Sequence, residues 1–258
     1  MIRAVVLGSG GATGVPMIGR GWGKCDPDNP KNRRKRPSLL VQTDSLNILI
    51  DTSPDLRQQL LDADISRLDA VLYTHGHADH LHGIDDLRDV NRCMHDWIDG
   101  WADAGTMKAI RERFSYVFEP QHPEAKVIYK PLLRPHIIDG PFDLKGLPVV
   151  PIPLDHGYST SMGFRFGPLA YTTDVVRLDE AGFKALEGVG TWIVSCTVDF
   201  PHETHAELSV ILDWVERVKP QRAVLTHLSY HFDYEALKAR LPSHIEPGYD
   251  GMVIDVVS

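Results

Sequence analysis

The segment His75-Gly76-His77-Ala78-Asp79-His80 constrains the fold of this chain more than any other, because it follows directly on Leu68 to Tyr73, a run that reads as a buried strand. Three imidazoles and a carboxylate within six residues are hard to explain by packing at the end of an apolar strand. The rival reading is a surface loop that happens to be rich in histidine. As donors, imidazole and carboxylate suit zinc, manganese or iron, and the lack of nearby cysteines argues against a closed structural zinc site. Period-two geometry at a strand end lets His75 and His77 reach one ion. Asp79 and His80, which open the next helix, point elsewhere and reach a second.

The 258 residues, 43% hydrophobic and 24% charged, are enough to bury a sizeable core as one large α/β domain or two small ones. Disorder, collagen and coiled coil are excluded. No apolar run approaches the roughly 18 residues of a membrane helix, and Met1 leads straight into strand-like Ile2 to Leu7 rather than a basic and then apolar leader. The three cysteines, Cys25, Cys93 and Cys196, are odd in number and widely spaced, so no disulfide framework is expected. These features predict a soluble cytoplasmic protein with no membrane partner.

Strand signals fill the first third: residues 2 to 7, then 37 to 42 and 46 to 50 as a hairpin about Thr43-Asp44-Ser45. The glycine-rich loop Gly8 to Gly14 is not a dinucleotide fingerprint, since Thr13 takes the third glycine position and Pro16 obstructs the following helix; it reads as a tight turn with close backbone packing. Leu56 to Leu61 looks helical, with Ser53 as N-cap and Pro54 at the first helical position. Residues 79 to 118 are mainly helical in pattern, broken near Gly100 and Gly105, and predict an insertion around 86 to 118 that caps a site. Strands return at 136 to 139, 147 to 154, 162 to 166 and 169 to 173, the last two joined at Gly167-Pro168. Strand 192 to 196, amphipathic helix 206 to 218, strand 222 to 226, helix 234 to 241 and strand 252 to 256 complete the chain. Two halves, each with strands first and helices outside, predict two packed sheets flanked by helices. No close repeat is visible.

The formal charge of -8 argues against a surface that coats nucleic acid. One basic run stands out: Lys31, Arg33, Arg34, Lys35 and Arg36. It is either a solvated loop or a local patch for an anion or RNA.

The motif His75 to His80 resembles the HxHxDH signature of the metallo-β-lactamase superfamily. That resemblance implies a four-layer αββα sandwich of class α/β, two mixed sheets flanked by helices, spanning residues 1 to 258 as a single domain with a metal site at one edge. It also implies the remaining donors: His156 in Leu154-Asp155-His156-Gly157, Asp174 after Ala170-Tyr171-Thr172-Thr173 as the bridging carboxylate, and His227 after Ala223-Val224-Leu225-Thr226. With His75, His77, Asp79 and His80 they make a full set for two divalent transition-metal ions, zinc first, with manganese or iron accepted by the same donors. Asp51, which closes another strand, is implied as the acceptor that orients a liganding imidazole.

The wording around Arg33 to Val41, Ile50 to Arg57 and Gly83 to Arg88 is similar to the phosphodiesterase branch that contains phosphoribosyl 1,2-cyclic phosphodiesterase and its relative RNase Z. The implied activity is hydrolysis of a small cyclic or nucleotide-like phosphodiester by metal-activated hydroxide. Asp79 would orient that hydroxide or take its proton. Protonated His205 would hydrogen-bond the phosphate or protonate the leaving group, with His202 as its competitor. Relatives in this branch hold an extra structural zinc on several cysteines, of which only Cys25 is present here. The alternatives are an RNA 3′-end processing nuclease, although no long arm for tRNA is evident, and a non-catalytic metal-binding module. The family also suggests a homodimer.

Overall fold

Alternation along the strands explains the layering. The computed structural model describes residues 1–256. The first part of the chain lays down β1 (Ile2–Gly8), β2 (Ser38–Gln42), β3 (Asn47–Ile50), β4 (Ala70–Leu72), β5 (Ile98–Ala102) and β6 (Leu133–Ile137). The second part lays down β7 (Phe142–Leu144), β8 (Leu147–Asp155), β9 (Thr160–Phe166), β10 (Leu169–Thr172), β11 (Thr191–Ser195), β12 (Arg222–Thr226) and β13 (Ile245–Pro247). The last strand, β14 (Met252–Val256), returns to the first sheet, giving the orders β14-β1-β2-β3-β4-β5-β6 and β13-β12-β11-β10-β9-β8-β7. Leu39 and Val41 on β2 and Ile48 and Ile50 on β3 face the second sheet, where they meet Phe164, Phe166, Tyr171 and Ile193. Their neighbours Leu40 and Leu49 face outward, against a helical layer that includes Leu56, Leu87, Met107 and Ile110. On the other sheet Trp192 and Val194 likewise face outward, against Leu208, Ile211 and Val215. Successive residues thus serve two different interfaces, which is why these strands read as continuous apolar runs. The expected αββα sandwich is what forms.

The seven helices are α1 (Leu56–Asp62), α2 (Ala78–Leu81), α3 (Leu87–Met94), α4 (Ala104–Phe114), α5 (Glu180–Leu186), α6 (Leu208–Val218) and α7 (Tyr234–Lys238) among the described residues. Some boundaries differ from expectation. Asp55, not Ser53, is the N-cap of α1; the Ser53 hydroxyl instead accepts the Asp55 N–H at 3.2 Å, and Pro54 lies in the turn that precedes the helix. Helix α6 starts at Leu208, two residues later than expected; Ala206 N–H donates to the Val175 carbonyl and Leu208 N–H to the Val198 carbonyl. Helix α7 stops at Lys238 and tightens into i→i−3 bonds up to Leu241, ahead of Pro242, which disfavours helical backbone in the residue before it. The short elements β7, α5 and β13 lack a strong pattern in sequence.

The segment 86 to 118 is mainly helical, as expected, but it also carries a strand. Within it, β5 pairs in parallel with β4 on one side and β6 on the other, so the segment is part of the first sheet. Leu87, Val90, Met107, Ile110 and Val117 around it belong to the helical layer outside that sheet rather than to a cap over a site. The central glycine that looked like a helix break, Gly100, is a sheet residue opposite Val71.

The two sheets are built alike. Each has antiparallel strands at one side and parallel strands at the other, β3 to β6 in the first and β10 to β13 in the second. In the hairpin β2–β3 the Ser38 hydroxyl bonds to the carbonyls of Ile50 and Asp51 at 3.1 and 2.9 Å; in the hairpin β9–β10 the Ser161 hydroxyl bonds to those of Thr173 and Asp174 at 3.1 and 2.9 Å. Asp51 and Asp174 are therefore equivalent positions, and both have positive φ, 65° and 41°. Such backbone costs about 1–3 kcal/mol in a non-glycine residue and concentrates at functional sites.

Candidate metal centre

Strand ends and the short helix α2 bring together the donors expected from the sequence. His75 and His77 follow β4, Asp79 and His80 lie on α2, His156 follows β8, Asp174 follows β10 and His227 follows β12. His77 is exposed; the other six are buried. They form two groups, His75, His77, His156 and Asp174 in one and Asp79, His80, Asp174 and His227 in the other, each able to place its donor atoms within 4.8 Å of one another. Asp174 belongs to both. Its Oδ2 is 3.4 Å from His75 Nε2 and 3.5 Å from both His80 Nε2 and His156 Nε2, while its Oδ1 is 3.1 Å from His227 Nε2. Two ligands on a tetrahedral ion with bonds of about 2.0–2.1 Å stand about 3.3–3.4 Å apart, so these separations fit cations.

Hydrogen bonding points to the same use. Asp79 Oδ2, His80 Nε2 and His227 Nε2 are buried with no hydrogen-bond partner among the described residues. Buried polar atoms are rarely left so, and here all three are turned into one cluster. Four imidazoles engage an oxygen through Nδ1: His80 with Asp51 Oδ2 at 2.6 Å, His75 with Thr74 Oγ1 at 3.0 Å, His156 with the Thr204 carbonyl at 2.8 Å, and His227 with Thr197 Oγ1 at 2.9 Å. A proton on Nδ1 leaves the lone pair on Nε2 for a cation. His77 differs, bringing Nδ1 to 2.9 Å from His75 Nε2.

Asp51 is where the resemblance implied. Fully buried, it accepts from His80 and also from Thr74 N and Thr74 Oγ1, at 2.8 and 2.7 Å, so its position is fixed by its own strand neighbours. The glycine-rich loop braces His227 from behind: Leu228 N–H donates to the Ser9 carbonyl at 2.8 Å, and Gly11 N–H to the Leu228 carbonyl at 3.3 Å. A Cβ on Gly8 would lie 1.9 Å from the Arg36 carbonyl, so close packing is what requires glycine there, as expected.

Electrostatically, the donors divide. Burial works against the His80 imidazolium, but Asp79, Asp51 and Asp174 outweigh it and hold the free ring well above its ordinary range. Burial likewise opposes ionised Asp174 and Asp79, yet the surrounding imidazoles keep both carboxyls low. His75 and His77 are pushed down, first by burial and then by neighbouring imidazoles.

His205 stands in the loop before α6, half-buried, with its ring centre 5.2 Å from that of His156 and 5.5 Å from that of His227. It is in neither donor group. Burial pushes it down to about 3. His202 lies further out, exposed, its ring 5.3 Å from His205.

The basic run has a structural explanation. Lys31 lies over the Tyr234 and Tyr249 rings, Arg33 over Trp22, Lys35 pairs with Asp62, and Arg36 holds Asp55 through two nitrogens. Arg34 is buried and donates to the Ser229 carbonyl and Asn32 Oδ1. Cys25, buried beside Arg34, joins no donor group among the described residues. Sequence reasoning missed Thr74, Thr197 and Thr204. Thr197 carried one signal: it follows β11, whose neighbours in the sheet both end at the cluster.

With the geometry in place, comparison with known proteins is informative. The family described as Beta-lactamase superfamily domain matches residues 46–228. The structure of a diphosphatase from the PhnP family superposes with a TM-score of 0.89 at 32% identity, covering 100% of this chain and 98% of that one. A Porphyromonas gingivalis protein named octanoyltransferase is 35% identical over 97% of this chain but only 51% of its own length, so the chain spans about half of that relative. A ribonuclease Z from Bradyrhizobium is 45% identical over 60 residues, 22% of this chain and 20% of that protein.

Proposed function

The chain belongs to the β-lactamase superfamily and within it to the PhnP family, and from that premise we propose that it is a dinuclear metal-dependent phosphodiesterase acting on a small cyclic or nucleotide-like phosphodiester. The observation that carries this reading is the pair of donor groups meeting at Asp174 with His205 beside them but outside both. Superfamily membership supports a hydrolase, and likeness along the whole chain to a diphosphatase from the PhnP family favours phosphorus over carbon as the centre attacked. His75, His77 and His156 would hold one ion, Asp79, His80 and His227 the second, and Asp174 both. Bound there, divalent cations supply Lewis-acid charge and bring the pKa of water toward neutrality. Zinc suits this nitrogen and oxygen set, as do manganese and iron.

The chain's own groups do the rest. Asp51, Thr74, the Thr204 carbonyl and Thr197 lock four rings so that Nε2 faces inward. Asp79, a donor of the second group, would also orient the nucleophilic water or take its proton. His205, neutral, offers an N–H to a phosphoryl oxygen as charge grows on it, and fixed donors of this kind are worth about 10²–10³ in rate.

A second reading, an RNA 3′-end nuclease, is favoured by the ribonuclease Z match alone, which covers only a short stretch. Octanoyltransferase is the name of a protein about twice this length, only about half of which this chain matches. The test is turnover by the metal-replete protein on a chromogenic phosphodiester, a cyclic nucleotide phosphate, a precursor tRNA, a phosphomonoester, a lactone and a glutathione thioester. Hydrolysis of the first two is expected. Cleavage of the lactone or thioester with every phosphodiester intact would overturn the proposal, and preference for the tRNA would establish the second reading. No turnover on any of them would leave a metal-binding module.

A further inference from the structure

One hydroxyl is shared by two histidines with different duties. Thr197 Oγ1 is 2.9 Å from His227 Nδ1 and 3.3 Å from His205 Nδ1. Thr197 directly follows Cys196, whose N–H bonds to the Thr226 carbonyl at 2.8 Å, and its own carbonyl accepts from the Ser229 hydroxyl at 2.5 Å. One backbone bond and one side-chain bond to the segment that carries His227 therefore hold this residue from both sides.

The direction of each hydrogen bond can be worked out in order. His227 Nε2 is buried, has no partner and is turned into the donor cluster, so its lone pair belongs on that nitrogen and its proton on Nδ1. His227 Nδ1–H then donates to Thr197 Oγ1. A hydroxyl has a single proton and, having accepted from one ring, can donate to the other. His205 Nδ1 accepts it, and a neutral ring whose Nδ1 accepts carries its own proton on Nε2. Among the described residues that Nε2 makes no hydrogen bond and is not one of the buried, unpartnered atoms, so it is accessible to solvent.

We propose that Thr197 is a positioning residue: its hydroxyl transmits the tautomer of His227 to His205 and so presents His205 Nε2–H, rather than a bare lone pair, to a phosphoryl oxygen of the substrate. The other tautomer of His205 would aim a lone pair at an anionic oxygen, a repulsive contact where a donor is needed. The inference deepens the phosphodiesterase reading and rests on it for the substrate. The relay itself rests only on the three side chains.

The experiment uses zinc-loaded protein with 15N-labelled histidine, as wild type and as Thr197→Val, Thr197→Ala and Thr197→Ser. Nitrogen shifts distinguish Nδ1–H from Nε2–H rings. His205 should be the Nε2–H tautomer in the wild type and in Thr197→Ser, and should become mixed or reversed in the Val and Ala variants, all four proteins being compared at saturating zinc because the Val and Ala variants also lose the partner of His227 Nδ1. On a phosphodiester, kcat should fall about tenfold to hundredfold in Val and Ala with KM little changed, as for an interaction made in the transition state, and recover in Ser. An unchanged His205 tautomer in both Val and Ala, or in the Ala variant alone if Val does not fold, would overturn the relay. So would a wild-type ring protonated on both nitrogens. Failure of the phosphodiesterase reading looks different: the tautomer would still switch, and no phosphodiester would be turned over by any of the four proteins.

Discussion

The N-terminal half of the chain places its donors within six residues, His75 to His80, whereas the C-terminal half spreads His156, Asp174 and His227 over the ends of three strands. Both halves nevertheless use the same hairpin, with a serine that ties down two carbonyls and an aspartate of positive φ that closes the second strand. The outcome differs. Asp51 lies behind the donors and fixes one ring, His80, while Asp174 lies between the donor groups and approaches His75, His80, His156 and His227. One scaffold position has been turned into an orienting acceptor in one half and a shared donor in the other.

If that difference is real, replacing the two aspartates should separate by a wide margin. Asp174→Ala removes a donor from both groups and leaves four imidazoles facing a void, so both ions should be depleted and turnover abolished. Elemental analysis that finds the variant still carrying its full metal complement would break the comparison. Asp51→Asn leaves every donor in place but puts an amide against His80 Nδ1. Loss of such a supporting partner costs about 10–100-fold in metal affinity. Turnover should return at saturating metal, and a competition titration with a chelator reads the shift. Equal damage from both variants would show that Asp174 does no more than Asp51.

Legibility in the sequence follows the same division. The strand-end histidines could be read because the chain writes His75 to His80 contiguously, and the resemblance then located His156, Asp174 and His227 after apolar runs. The sandwich was legible from strand order. The duplicated hairpin was not: Ser38 and Ser161 sit in different surroundings, Ser-Leu-Leu-Val against Ser-Met-Gly-Phe, and what they share is a backbone geometry. Strand β5 was missed because Gly100 and the Trp101 beside it look like a broken helix until β4 and β6 are placed on either side. The lowering of the His205 pKa was also beyond reach, since burial, not spacing, causes it.

Charge separates the halves in a way that pH can probe. In the metal-free chain His80 is held above its ordinary range by Asp79, Asp51 and Asp174 against the cost of burial. A histidine raised on folding stabilises fully below its unfolded value of about 6.5, and the contribution is lost as pH rises through the folded-state value. Chelated protein should therefore lose stability in urea as pH climbs above about 6.5. The metal-loaded protein, with Nε2 of His80 occupied, should lack that fall. A metal-free stability that is flat or rising between about pH 6.5 and 9 would contradict the ring of carboxylates around His80.

The smallest effect tests the duplication itself. Ser38 and Ser161 are both buried, and each hydroxyl serves two carbonyls at the strained aspartate corner. Deleting either hydroxyl forfeits about 0.5–1.5 kcal/mol of hydrogen bonding and leaves its carbonyls under-satisfied, so Ser38→Ala and Ser161→Ala should each cost about 1–2 kcal/mol in urea unfolding. Because the device is the same, the two losses measured on metal-free protein should be similar. Metal affinity should then tell the halves apart. A corner loosened at Ser161 moves a carboxylate that both donor groups share, whereas one loosened at Ser38 moves only the partner of His80, so Ser161→Ala should weaken metal binding several-fold more than Ser38→Ala. If Ser38→Ala were the more damaging to metal binding, Asp51 and not Asp174 would be the residue on which the centre depends.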